Sequence, residues 1–209
     1  MKKLVATLGA FMLFAMSGVA SAYTIHYGSV SDGNGGFDNP YGFQSETFDA
    51  PLIFSWSGSG SVTSGSIPNV TAAPFGQVAP DSTQYVTIPA GTRTATGFGL
   101  SNYLGLWWGS VDTYNTLDFY NGATLVASIT GSDAINPSVA NGNRVAPSTN
   151  LYVNILGLPD FDSFAMSSSN IAFEADNIAV GVVPEPGTMM LLGAGFLGLA
   201  IYGKRRRNG

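Results

Sequence analysis

The chain has 209 residues, with 13 acidic residues against 8 Lys and Arg, a single histidine and no cysteine. Six of the eight cations sit at the two ends, so residues 23–183 carry twelve acids against Arg93 and Arg144, a net charge of −10. Such a body repels nucleic-acid phosphates and anionic lipid, and the missing cysteines exclude disulfides, thiolate metal sites and Cys nucleophiles.

Residues 1–22 have the three parts of a secretory signal peptide. Lys2 and Lys3 give a positive start, "LVATLGAFMLFAM" is an apolar stretch short for a membrane span, and Ala20-Ser21-Ala22 supplies small residues for signal peptidase. The expected site is Ala20, Ala22 and Tyr23, with the cut before Tyr23. The domain that follows spans 23–183, and its glycine- and asparagine-rich opening, residues 23–44, reads as a mobile lead-in.

Strand material is expected around 45–50 and 53–57, followed by a Gly/Ser loop. At 84–88, Tyr85 and Thr87 alternate with Val86 and Ile88 and end at Pro89. In "TLDFYNGATLVASIT", Leu117 and Phe119 alternate with Asp118 and Tyr120. Asn121-Gly122 then predicts a type I′ hairpin turn, with a return strand over 123–129. "LYVNIL" places Leu151, Val153 and Ile155 on one face and Tyr152 and Asn154 on the other. Ile171, Phe173 and Ala175, then Ile178, Val180 and Val182, mark the last strand. No stretch of the body sustains a 3.6-residue period. The fold class is all-β: an antiparallel β-sandwich, jelly-roll-like, flanked by the signal peptide and a C-terminal transmembrane helix.

The end of the chain, residues 184–209, has its own order. Val183 to Gly187, with Pro184, Glu185, Pro186 and Gly187 as the motif, are expected to form an exposed, extended peptide, because proline breaks helices and pushes its predecessor to extended geometry. A membrane segment follows at 188–203, then a basic tail at 204–209 with Lys204, Arg205, Arg206 and Arg207 as the stop. The apolar run 188–202 covers roughly 22 Å as a helix. That is short of a ~30 Å hydrocarbon core, a gap that snorkelling arginines and local thinning can close. Positive charge stays cytoplasmic, which puts the body outside.

This order of Pro-Glu-Pro, apolar span and basic tail resembles the PEP-CTERM sorting signal of Gram-negative bacteria. The resemblance implies processing by the membrane enzyme exosortase, cutting near the motif. "NYLGLWWGSVDTYNTLDFYNG" and "FEADNIAV" are also similar to blocks of exosortase-dependent surface proteins, which implies a single β-domain before the signal and brings no catalytic residues.

The residues themselves suggest three chemistries. Catalysis is not expected: His26 stands in the lead-in without a G-x-S-x-G or other supporting motif. A carboxylate-based glycoside hydrolase is the rival. Calcium is the candidate cofactor, on Asp160 and Asp162 and on Glu174 and Asp176, whose i,i+2 spacing puts each pair on one strand face. Glycan stacking is the third. Trp107 and Trp108 must point to opposite faces, leaving one to serve as a platform near Tyr103, Tyr114 and Tyr120.

The expectation is an exported cell-surface or extracellular-matrix protein with a structural, adhesive or exopolysaccharide-associated role. It is anchored transiently by its C-terminal helix and handled by signal peptidase and exosortase, with no nucleic-acid partner. The alternatives are a secreted carbohydrate-active enzyme or carbohydrate-binding module, and a permanently anchored single-pass envelope protein.

Overall fold

The computed structural model describes residues 23–184, 192–197 and 199. The first third holds short strands: β1 (Thr24–His26), β2 (Val30–Ser31), β3 (Phe37–Asp38), β4 (Ser45–Glu46), β5 (Ser55–Gly58) and β6 (Ser61–Ser64). Longer ones follow: β7 (Gln84–Ile88), β8 (Gly91–Thr96), β9 (Ser101–Gly109), β10 (Asn115–Asn121) and β11 (Thr124–Thr130). After a single helical turn, α1 (Gly131–Ala134), come β12 (Leu151–Phe161), β13 (Ser163–Ser168) and β14 (Phe173–Gly181).

Two main antiparallel sheets result, and β2 and β3 pair as a separate two-stranded one. One runs β1-β12-β9-β14-β7-β6 with β4 added to β14, and the other runs β11-β10-β13-β8-β5. The eight strands from β7 on interleave: β14 returns to lie between β7 and β9, and β13 between β8 and β10. Two sheets with these long returns are the paired Greek keys of a jelly roll.

Period-two patterning builds the core. Val86, Ile88, Leu104, Leu106, Trp108, Val153, Ile155, Phe173 and Ala175 point inward from the seven-stranded sheet. Leu117, Phe119, Ile129, Phe164 and Met166 meet them from the five-stranded one. Trp108 stacks on Phe173 with ring centroids 4.6 Å apart.

Several local expectations need correction. The hairpin turn is Gly122-Ala123, since Asn121 pairs with Thr124. Positive φ occurs at Gly122 and not at Asn121, which is the pattern of a type II′ turn. The Asp162 carboxylate holds that turn by accepting from Gly122 N at 3.1 Å with both oxygens. The strand expected over 45–50 stops at Glu46, whose carboxylate gathers the amides of Phe48, Ile53 and Phe54 and the Trp56 indole N–H. That wraps the chain into a loop and moves the next strand to 55–58.

The segment 23–44 was expected to be a mobile lead-in; it contains β1, β2 and β3. β1 pairs with β12, and Asn154 Nδ2 donates to the carbonyls of His26 (3.2 Å) and Gly28 (2.7 Å). Farther on, Asn177 Nδ2 donates to Phe37 O at 2.9 Å. Phe37 meets Trp107 edge-on, and Tyr41 and Phe43 pack on Tyr103. The segment therefore covers the outer face of the seven-stranded sheet.

Candidate functional site

β14 pairs with β9 as far as Gly181 opposite Tyr103. Two residues later the Asn102 side chain grips the backbone from both sides. Val183 N donates to Asn102 Oδ1 at 2.8 Å, and Asn102 Nδ2 donates to Val183 O at 3.0 Å. The next residue, Pro184, is exposed. The body is thus fastened up to the first residue of the Pro-Glu-Pro motif.

Glu185, Pro186 and Gly187 lie outside the described residues, as do Lys204, Arg205, Arg206 and Arg207, Ala20 and Ala22, and the rest of the expected signal peptide. Of the expected membrane segment 188–203, residues 192–197 and 199 are described and are helical. No helix among the described residues is long and apolar enough to cross a membrane. Tyr23 is half-buried against the core, and burial, with Asp133 nearby, raises its phenol pKa. His26 is exposed on β1 opposite Asn154.

The tryptophans do point to opposite faces, yet both are 0 % exposed, so neither offers a stacking platform. Trp108 belongs to the inner core, and Trp107 lies under Phe37 on the outer face. The expectation failed because the outer face is roofed by residues far away in sequence. Tyr103 is buried there too, its hydroxyl donating to Asn154 Oδ1 at 2.8 Å. Burial drives the phenol pKa values of Tyr103 and Tyr152 upward.

The four candidate calcium ligands do not converge. Asp160 is exposed and Asp162 holds the hairpin turn. Glu174 and Asp176 share the outer face of β14 but have different neighbours. Glu174 is 2 % exposed; it accepts from Ala72 N at 2.9 Å and Ser110 Oγ at 2.7 Å, with Thr71 Oγ1 at 3.4 Å. Burial raises its pKa, and those hydrogen bonds oppose the shift.

Asp176, 1 % exposed, lies instead beside the Asp81 carboxyl, a neighbour brought in by the loop 65–83. Asp176 Oδ1 and Asp81 Oδ2 are both buried with no hydrogen-bond partner, and a proton carried by Asp176 and directed at Asp81 would relieve both. Burial first, then the Asp81 charge, pushes the Asp176 pKa up to about 10. No group of three or more His, Asp or Glu side chains is placed to hold a metal among the described residues.

A pocket of about 200 Å³ opens where four loops meet at one end of the sandwich. Asp112 and Tyr114 reach it from the β9–β10 connection, Asn141 and Arg144 from the α1–β12 connection, and Glu174 and Ser110 form its floor. Tyr114 donates its hydroxyl to Ile171 O at 2.6 Å. Asp112 sits against Gly142, where a Cβ would collide with the carboxylate, and Gly142 has φ of 66°. The positive φ favours glycine there, and a side chain would also have to push the Asp112 carboxylate aside. Burial raises the Asp112 pKa. Arg144 is exposed, and its guanidinium has no hydrogen-bond partner among the described residues. Of this set, the sequence points only to Glu174 and Tyr114, and for other roles. The others are single polar residues in loops with no shared spacing, so only the Asn-rich run 136–143 marks the region.

A search of the curated proteins found no match to the chain. A family model described as the PEP-CTERM protein-sorting motif matches residues 182–207, beginning within one residue of the Asn102-held Val183. The chain therefore carries, over residues 182–207, a segment similar to the PEP-CTERM protein-sorting motif, which supports sorting by exosortase.

Proposed function

We propose that the jelly-roll body is a structural or adhesive component of the cell surface or extracellular matrix, associated with exopolysaccharide and delivered there by exosortase processing. The observation that carries this reading is the sorting motif at 182–207 directly following a body whose last fastened residue is Val183. Signal peptidase removes residues 1–22, the segment 188–203 holds the chain transiently in the membrane, and cleavage near the motif frees the body. The body acts by binding and not by catalysis. In support, both oxygens of the buried Glu174 are already engaged by Ala72, Ser110 and Thr71.

The test is mass spectrometry of the chain recovered from the native cell surface and medium, with both termini mapped. The expected product begins at Tyr23, ends between Pro184 and Gly187, and co-purifies with matrix polysaccharide. A surface form that keeps Lys204, Arg205, Arg206 and Arg207 in the membrane fraction would instead be a permanently anchored envelope protein, and the processing step would be wrong.

A further inference from the structure

The pocket at the loop end of the sandwich has a composition that narrows its ligand. An anion is disfavoured, because the Asp112 and Glu174 carboxylates both face the space. A divalent cation fits poorly as well. Calcium needs six to eight oxygens, whereas Glu174 is committed to protein donors and the Arg144 cation lies alongside. An apolar ligand would bury the hydroxyl, amide, carboxylate and guanidinium groups that make up most of the lining without partners. What remains is a small neutral molecule rich in hydroxyls, each able to donate to a carboxylate and accept from a guanidinium or amide. The volume suits one sugar ring, since it is smaller than the ~300–1,000 Å³ typical of drug-sized ligands.

We propose that this pocket binds a single neutral pyranose unit. Asp112 accepts from its hydroxyls, Arg144 and the Asn141 amide donate to them, and the Tyr114 hydroxyl, whose own proton is given to Ile171 O, accepts. Glu174, locked by Ala72, Ser110 and Thr71, forms a fixed floor that sets the depth. With Trp107 and Trp108 both buried, no tryptophan in the pocket supplies a stacking surface, so binding is by hydrogen bonds and weak for one unit. The biological use of the pocket rests on the reading of the body as polysaccharide-associated, for which it would be the contact with a terminal or branch residue.

The experiment is a saturation-transfer NMR titration of the full-length chain in detergent micelles with methyl glycosides of glucose, galactose, mannose and N-acetylglucosamine. At least one should bind. Arg144→Gln, a change at an exposed side chain, should weaken it about tenfold, the scale of a charged hydrogen bond. Asp112→Asn should weaken it in the same direction, and Arg93→Gln, on β8 and outside the pocket lining, should leave it unchanged. Unfolding midpoints serve as the check that each variant is folded.

The proposal is overturned if none of the four glycosides binds, if binding survives both pocket variants, or if only calcium chloride perturbs the site. The two readings fail separately. Pocket binding by a chain that never co-purifies with matrix removes the wider function and leaves the sugar site. Undiminished matrix association of Arg144→Gln removes the site as the contact and leaves the wider function.

Discussion

The two faces of the seven-stranded sheet are equally buried and chemically opposite. The inner face is aliphatic and aromatic, closed by the apolar side chains of the five-stranded sheet. Tyr85, Tyr103, Trp107, Tyr152, Asn154, Glu174 and Asp176 make up the outer face, closed by loops and short strands from the first third of the chain. On the inner face burial is its own stabilisation. On the outer face every buried polar group needs a partner, and where the partner is another acid the fold carries a cost. Outer-face packing is therefore sensitive to pH and to single polar substitutions, while the inner face responds to volume.

The sharpest way to break the inner face is Trp108→Ala, which removes the ring stacked on Phe173. Loss of about 3–5 kcal/mol is expected, measured by denaturant unfolding. Trp107→Ala should cost less, because its cover of loop residues can close over the gap. Equal losses would mean that the two faces are packed alike.

Asp176→Asn probes the outer face in the opposite direction. The Asp176 pKa of about 10 lies above its unfolded value of 3.8. Between those values the folded chain binds the extra proton, so stability falls as pH rises from about 4 towards 10 and is fully present only below that window. An asparagine can donate to Asp81 at any pH. The variant should be more stable than the parent at pH 8, by about 1–3 kcal/mol, with a flatter pH profile. Parallel profiles for parent and variant would show that the two carboxyls do not share a proton.

The smallest effect is expected at the junction. Asn102→Ala removes both hydrogen bonds to Val183 and should cost about 1 kcal/mol or less globally. Limited proteolysis should nevertheless reach residues 182–183 in the variant and not in the parent. Unchanged cleavage would mean that the ladder ending at Gly181 alone secures the tail.

Much of the framework was legible in local patterning. Alternation identified the faces of β7, β10 and β12, because a strand's side chains change sides at every residue. The three-residue step from Ala175 to Ile178 also carried the bulge between Asp176 and Ala179, which keeps Ile178 in the core. The roofing of the outer face was not legible. Tyr103, Trp107 and Asn154 read equally well as a solvated or a covered face. The deciding contacts come from Phe37, Tyr41, Phe43 and Asp81, and β9 and β12 have no local means of announcing them.

The sequence by itself determined the all-β class and the sorting signal, since both rest on order along the chain: period-two alternation in one case, motif, apolar run and basic tail in the other. Tertiary structure alone decided which polar residues meet. It pairs Asp176 with Asp81 and not with Glu174, buries both tryptophans, and gathers Asp112, Asn141, Arg144 and Glu174 around one pocket. The physical reason is range. Propensity and alternation act over a few residues, whereas these groups are joined by strand returns and loops that bring distant stretches of chain side by side.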